Sequence, residues 1–511
     1  MRQRPAGGLP HRTSVVLIRA RLFIQNVATV SISSRLILPA ALLALSTLLV
    51  PAAAFPAPAS GPPAGPRHVI LIIGDGMDEQ QIAIARNYLV GPEGRLLLDR
   101  LPLRASAQVL TVEERVEGRA VYVADSANTA TSMATGAVTS RGRIATTAGD
   151  DRDLVTIVEL AEAAGYRTGL VTTASVTDAT PAAFVAHISN RLCENPDTMG
   201  EIIHRGVSLG MRCGADRKAR GGAGSIAEQL AESGLDVILG GGRKHFAPLA
   251  EGSAMSVLEL AGERGFQVVT SGDALAAVDR GQRLLGLFSA GTMPVRLRGD
   301  GGRVAEKILA DPAGGSQVTL PEPMACEPNP AFSGVPGLRR MTDAALAHLA
   351  HGNARGFFLM IESASIDKQS HDRKPCGAIG EMAQLDEALA SALAFAGTHP
   401  DTLVLVTSDH THAAQLVPVE SLFAPYGVAS YSPGRLARII TPDGGLMAIN
   451  YATSESPWEE HTGAAVPLYS NAQGVGRIPA FLQQRQVFHV MREYLGLQEP
   501  VPPTGVAPAR D

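Results

Sequence analysis

The stretch VADSANTATSMATG (123–136) sets Asp125, Ser126, Asn128, Thr129, Thr131 and Ser132 at the head of a small-residue helix ending at Gly136. Ser126 suits two roles. As an N-cap, its hydroxyl accepts a bond from a first-turn N–H. As a nucleophile, its oxygen sits in the positive field of a helix N-terminus, where an anion is stabilised. Acids and histidines cluster further along. ESASIDKQSH (362–371) carries Glu362, Asp367 and His371, and Asp367 and His371 are four apart, so a helical turn puts both on one face. SDHTH (408–412) adds Asp409, His410 and His412, and EHTG (460–463) adds His461. Oxygen and imidazole donors without thiolates suit a zinc site with an open position. Two zinc ions roughly 4 Å apart can hold the attacking and leaving oxygens of an in-line displacement. A set of oxygens alone, such as Asp75, Glu362 and a threonine hydroxyl, suits magnesium better. SVTDATPAAFVAHISNR (175–191) brings Asp178, Thr180, His187 and Arg191. Arg191 reads equally as a surface guanidinium or as a planar fork for phosphate.

These residues need elements to hold them. Apolar runs at 68–74, 167–173, 235–241, 284–289, 356–362 and 402–408 read as buried strands. Helical stretches rich in Ala, Leu and Glu separate them, among them 153–164, 224–233, 340–351 and 379–396. Continuous apolar strands spaced by helices imply an α/β fold whose mostly parallel sheet is covered on both faces. Ligands bind such sheets beyond the carboxyl ends of the strands. The first run ends in Gly74-Asp75-Gly76, the fifth in Glu362, the sixth in Ser408-Asp409-His410. One acid after a strand is ordinary turn chemistry. Three at one edge crowd like charges unless a cation sits among them.

The 511 residues, 45% apolar, suffice for a large core. Residues 1–54 hold six arginines, no acid, and the apolar run LILPAALLALSTLLV before PAAAF. This reads as a signal peptide, 1–54. The run is short for a membrane span and is broken by Pro39, although an uncleaved anchor is the alternative. Residues 55–66 read as a flexible mature N-terminus, 67–498 as one catalytic domain and 499–511 as a flexible tail. Loss of the leader takes the formal net charge from −5 to −11, which argues against nucleic acid as a partner. All four cysteines lie beyond the leader, and an even count in an exported chain favours disulfides, with sequence neighbours paired: Cys193 with Cys213 and Cys326 with Cys376.

GDGM (74–77), DSANTAT (125–131), DATPAAFVAH with Arg191, GSIAEQL (224–230), VILGGG (237–242), GFFLMIESASIDKQSH (356–371), VTSDHTHA (406–413) and EHTG (460–463) occur in the order found in bacterial alkaline phosphatases, and the chain resembles that family from about 68 to 497. The resemblance implies a three-layer α/β/α sandwich and hydrolysis of phosphate monoesters through a phosphoserine at two zinc ions and one magnesium ion. Carried over by residue, it implies Ser126 as nucleophile. Asp367, His371 and His461 would hold the first zinc, and Asp75, Asp409 and His410 the second. Asp75, Thr180 and Glu362 would hold magnesium, with Asp178 acting through water. Arg191 would grip phosphate, Lys368 would reach it through water, and His412 would orient a ligand carboxylate. His187 keeps a structural role. The resemblance also supports the two cysteine pairs and implies a homodimer, periplasmic or secreted, acting on phosphate monoesters and releasing inorganic phosphate. Two departures stand out: DEQQ after GDGM, and Asn128 where a small residue is usual. Ser126 lacks the Cys/Ser-x-Pro-x-Arg setting of sulfatases. A phosphodiesterase and a non-catalytic phosphate or zinc scavenger remain as rival readings.

Overall fold

A computed structural model describes residues 65–498, apart from 202, 205, 209, 211, 212, 311–317 and 427–433. The expected leader, nearly all of the 55–66 segment and the 499–511 tail lie outside the described residues. Ten strands build the main sheet: β1 (Arg67–Gly74), β2 (Leu103–Gln108), β3 (Arg167–Ser175), β4 (Val237–Gly241), β5 (Phe266–Val269), β6 (Arg283–Leu287), β7 (Gly356–Ser363), β8 (Thr402–Ser408), β9 (Val466–Ser470) and β10 (Phe481–Gln483). Their order across the sheet is β10-β2-β9-β8-β1-β7-β3-β4-β6-β5. Every pairing is parallel except those of β9, which runs antiparallel to β8 and β2.

Side chains alternate between the two faces of a strand. From β1, Val69, Leu71 and Ile73 enter one apolar cluster, while Ile70 and Ile72 enter another. Helices close both faces, as the sequence predicts. On the first lie α2 (Ser126–Thr135), α3 (Ile157–Ala163), α4 (Ile226–Glu232) and α8 (Gln486–Leu495); on the second lie α1 (Glu79–Leu89), α5 (Leu338–Ala350) and α7 (Pro375–Thr398). The short α6 (Ser365–His371) leads from β7 toward α7. Each fully buried Ile or Leu here contributes about 1.5–3 kcal/mol of transfer free energy. A separate four-stranded sheet, in the order Glu306–Lys307, Arg435–Ile440, Leu446–Tyr451, Gln415–Val417, packs through Ile439, Ile449 and Tyr451 on Cys376 and Ile379 of α7. No helix among the described residues is long and apolar enough to cross a membrane.

The six expected strands all occur. Four more, β2, β5, β9 and β10, went unrecognised in the sequence. β2, β5 and β10 are short and lie toward the two margins of the sheet, where strands such as β2 bury only alternate residues, whereas β9 is buried throughout and carries Pro467. The cysteines are paired as expected, Cys193 with Cys213 and Cys326 with Cys376.

Two stability predictions arise from this packing. The Cys326–Cys376 bond joins the start of α7 to residues 50 positions earlier. Cys326→Ser/Cys376→Ser is expected to lower unfolding free energy by about 2–4 kcal/mol, measured as a lower guanidinium midpoint; an unmoved midpoint would refute this. His68, on β1, is buried among the rings of Phe357, Phe395 and His399 with no hydrogen-bond partner for either ring nitrogen among the described residues. Burial first, then His399, lowers its pKa from 6.5 to about 4. The unfolded chain therefore takes up this proton more readily than the folded one, and stability is lost as pH falls from 6.5 toward 4. His68→Phe should flatten that decline in a series of unfolding midpoints against pH.

Candidate active site

Parallel register brings the carboxylates to one edge. Gly74 of β1 is level with Ser363 of β7 and Ser408 of β8, and Glu362 is level with Thr172 of β3. Asp75, Glu362 and Asp409 thus emerge side by side, and all three are buried. Gly76 makes the turn after Asp75 at φ +67, and a Cβ there would come within 3.1 Å of Asp367. Its N–H donates to Asp409 Oδ1 at 2.9 Å. Asp75 is driven well above the ordinary carboxylate range by burial, then by Asp367, Asp409 and Glu362. Burial likewise pushes Asp409 up to about 6 and Glu362 up to about 7.

Four imidazoles meet these acids, and their backbone partners set the tautomers. His371 Nδ1 donates to the carbonyl of Glu459 (2.5 Å) and His461 Nδ1 to that of Ala124 (2.9 Å). Both Nε2 atoms are then bare, and they face each other at 3.0 Å. They lie 3.4 and 3.3 Å from Asp367 Oδ1, as two lone pairs and a carboxylate do when they share a cation. His412 is arranged oppositely. Its Nδ1 accepts the N–H of Ala413 at 2.7 Å, so its proton sits on Nε2, which faces Asp367 Oδ1 at 3.2 Å. His412 therefore suits orienting that carboxylate, as the sequence reading has it, rather than ligation. A second group comprises Asp75, Asp409 and His410, whose Nε2 lies 3.4 Å from Asp75 Oδ1 and 3.3 Å from Asp409 Oδ2. Asp75 Oδ1, Asp367 Oδ1, Asp409 Oδ2 and Thr180 Oγ1 are buried and make no hydrogen bond of good geometry among the described residues.

Ser126 settles one of the readings above. The cap of α2 is Asp125: its carboxylate accepts the N–H of Asn128 at 3.2 Å, and Asn128 Oδ1 accepts the N–H of Asp125 at 2.9 Å. Asn128 is thereby explained, since it completes a capping box. Ser126 is the first helical residue, its hydroxyl is released from capping, and Oγ lies 3.2 Å from His410 Nε2. Asp125 also receives Arg191 Nη1 at 3.3 Å, while Arg191 Nη2 donates to Asp178 Oδ1 at 2.9 Å. Asp178 Oδ2 takes the ammonium of Lys368 at 2.6 Å. Burial would raise Asp178, but Lys368 and Arg191 outweigh it and hold the carboxylate well below its ordinary range. Glu362 receives the Thr172 hydroxyl and is faced by that of Thr180.

All the predicted site residues except the cysteines converge on this sheet edge. His187 lies apart, bonded to Ala145 O at 3.1 Å and Glu159 at 3.2 Å. The sequence reading missed Thr172, Asp125 as a cap, and Asp78. Asp78 caps α1 and its other oxygen accepts the N–H of His412 at 3.2 Å, which gives the DEQQ departure a structural role. Only the adjacency of Asp125 to Ser126 and of Asp78 to GDGM could have signalled them.

The alkaline phosphatase family profile matches residues 66–422. The chain is 40% identical to a streptomycin-6-phosphate phosphatase of Streptomyces griseus over 90% of its length and 97% of that protein. It is 38% identical to the alkaline phosphatase of Escherichia coli, over 84% of this chain and 86% of that one. Among solved structures, the Thermus thermophilus alkaline phosphatase matches with a TM-score of 0.60 at 24% identity, covering 85% of this chain and 92% of that chain. That likeness supports the fold. With a family profile spanning most of the chain and 38% identity to the Escherichia coli enzyme over 84% of it, this protein belongs to the alkaline phosphatases, metal-dependent hydrolases of phosphate monoesters.

Proposed function

We propose that this chain hydrolyses the phosphate monoesters of many alcohols, with an alkaline optimum, through a phosphoserine on Ser126 at a site for two zinc ions and one magnesium ion. Asp367, His371 and His461 would hold one zinc; Asp75, Asp409 and His410 the other; Asp75, Thr180 and Glu362, with Asp178 through water, the magnesium. The donor chemistry supports this: imidazoles and carboxylates in the first two sets, oxygens alone in the third. So do the buried, unsatisfied oxygens of Asp75, Thr180, Asp367 and Asp409. The observation that carries the reading is the Ser126 hydroxyl, free of capping at a helix N-terminus and 3.2 Å from His410.

When bound, zinc supplies the Lewis acidity that makes an alkoxide accessible near neutral pH and offsets the charge of the departing oxygen. The protein does the rest. Ser126 Oγ, its proton lost to water, attacks phosphorus in line; its bond to phosphorus forms as the ester P–O bond breaks, and the departing alkoxide takes a proton from water. The Arg191 fork, oriented by Asp125 and Asp178, takes two phosphoryl oxygens, and the first-turn N–H groups of α2 add to that field. Lys368, fixed by Asp178, contributes a positive charge reached through water. Water then displaces Ser126 from phosphorus and releases inorganic phosphate. Since no side chain must protonate the leaving group, many alcohols can leave, including the aminoglycoside named for the Streptomyces relative. Two disulfides fit an oxidising compartment, periplasmic or extracellular, and the family resemblance supports a homodimer.

The deciding experiment is hydrolysis of an aryl phosphate and a bis-aryl phosphate from about pH 6 to about pH 11, before and after chelation. Monoester turnover peaking above about pH 8, abolished by chelation and restored by zinc plus magnesium, is expected; preference for the diester would instead favour the phosphodiesterase reading. Ser126→Ala should lower kcat about a thousandfold or more, about 4 kcal/mol in barrier. It should also abolish acid-stable labelling by radioactive phosphate. Retention of most turnover would refute the nucleophile.

A further inference from the structure

His371 and His461 stand 90 residues apart in the chain, yet their Nε2 atoms meet at 3.0 Å. One comes from α6 and the other from the 453–461 loop. What holds the loop is a buried ion pair. Arg373, two residues after His371, donates Nε to Oε1 of Glu459, two residues before His461, at 2.6 Å. Its side chain is 4% exposed and that of Glu459 is not exposed at all. The rest of the guanidinium binds loop carbonyls: Nη1 that of Pro457 at 2.9 Å, Nη2 those of Ser454 at 3.0 Å and Ser456 at 2.8 Å. Glu459 Oε2 accepts the N–H groups of Thr453 (3.0 Å) and Ser454 (3.1 Å) and the Thr453 hydroxyl (2.6 Å). The backbone of Glu459 then grips His371 twice, its N–H on His371 O at 2.9 Å and its carbonyl on His371 Nδ1. Arg373 adopts φ +58 to make this fit, a left-handed conformation disfavoured for a side chain of its size.

We infer that the Arg373–Glu459 pair is a positioning clamp that sets the distance between His371 and His461, and so the retention of the metal they share with Asp367. A buried pair costs desolvation that its own attraction barely offsets, so stability alone is a weak reason to keep one. Here each partner spends its remaining hydrogen-bonding capacity on the segment carrying a metal-facing imidazole. Groups that orient ligands in this way typically alter metal affinity 10–100-fold when removed. The inference rests on the metal assignment proposed above, and its test separates the two.

The measurement is zinc release from the metal-loaded protein into excess chelator, followed with a zinc indicator. It compares wild type, Arg373→Lys, Glu459→Gln and His461→Ala, with the unfolding midpoint of each protein after metal removal. Lysine keeps the charge but cannot span the carbonyls; glutamine keeps the shape but not the charge. His461→Ala should hold one zinc fewer. Arg373→Lys and Glu459→Gln should release that same zinc 10–100-fold faster while the other leaves within about twofold of its wild-type rate. Lost turnover should return at excess zinc, a rescue that a general structural defect would not show. Unchanged release in both variants would overturn the clamp, and so would equal acceleration of both ions with a large fall in the metal-free midpoint. If one variant does not fold, the other decides. If His461→Ala keeps both ions, the metal assignment itself fails.

Discussion

Carboxylates crowded in a dry place are the constraint on which this structure turns. Asp75, Glu362, Asp367 and Asp409 are all buried near one edge of one sheet, and three of them arrive there because parallel strands end level. Their repulsion cannot be relieved by solvent. The protein answers partly with its own cations, Lys368 and Arg191, both aimed at Asp178, and leaves one oxygen each of Asp75, Asp367 and Asp409 without a hydrogen bond among the described residues. Such crowding is relieved either by protons taken up by the carboxylates or by a cation bound among them.

The positive side is under equal control. Each imidazole has one nitrogen committed to the backbone, and that commitment decides what the other nitrogen can do. His371 and His461 donate an N–H to a carbonyl and turn a lone pair inward. His412 accepts an amide N–H and turns a donor inward. Three histidines around one carboxylate oxygen thus divide into two kinds, through contacts far weaker than the interactions they orient. The same economy appears at α2, where Asp125 caps the helix and steadies Arg191, leaving Ser126 without a structural duty.

Much of this was legible in the chain. β1, β3, β7 and β8 are buried on both faces, so their apolar runs could hardly be anything else, and the polar residues that end them stood out. The i, i+4 spacing of Asp367 and His371 placed both on one face of α6, where they lie. β2, β5 and β10 were not legible, because short, half-buried strands at the sheet margins carry little apolar signal; β9 is buried throughout, but its five residues include a proline, a tyrosine and a serine that break the apolar run. Which residue caps α2 was not legible either: Ser126 stands beside Asp125, and only the structure shows that the aspartate holds the cap.

Local physics determined, from sequence alone, which residue types were available, which strands form the sheet centre, and that several acids and histidines gather beyond the strand ends. It did so because strand burial and helical spacing act over a few residues. Tertiary structure decided which nitrogen of each histidine faces inward, that Arg191 is oriented by Asp125 and Asp178, and that Arg373 reaches Glu459 across 86 positions. These depend on distances of about an ångström between segments remote in the chain, and such distances are set only when both faces of the sheet have packed.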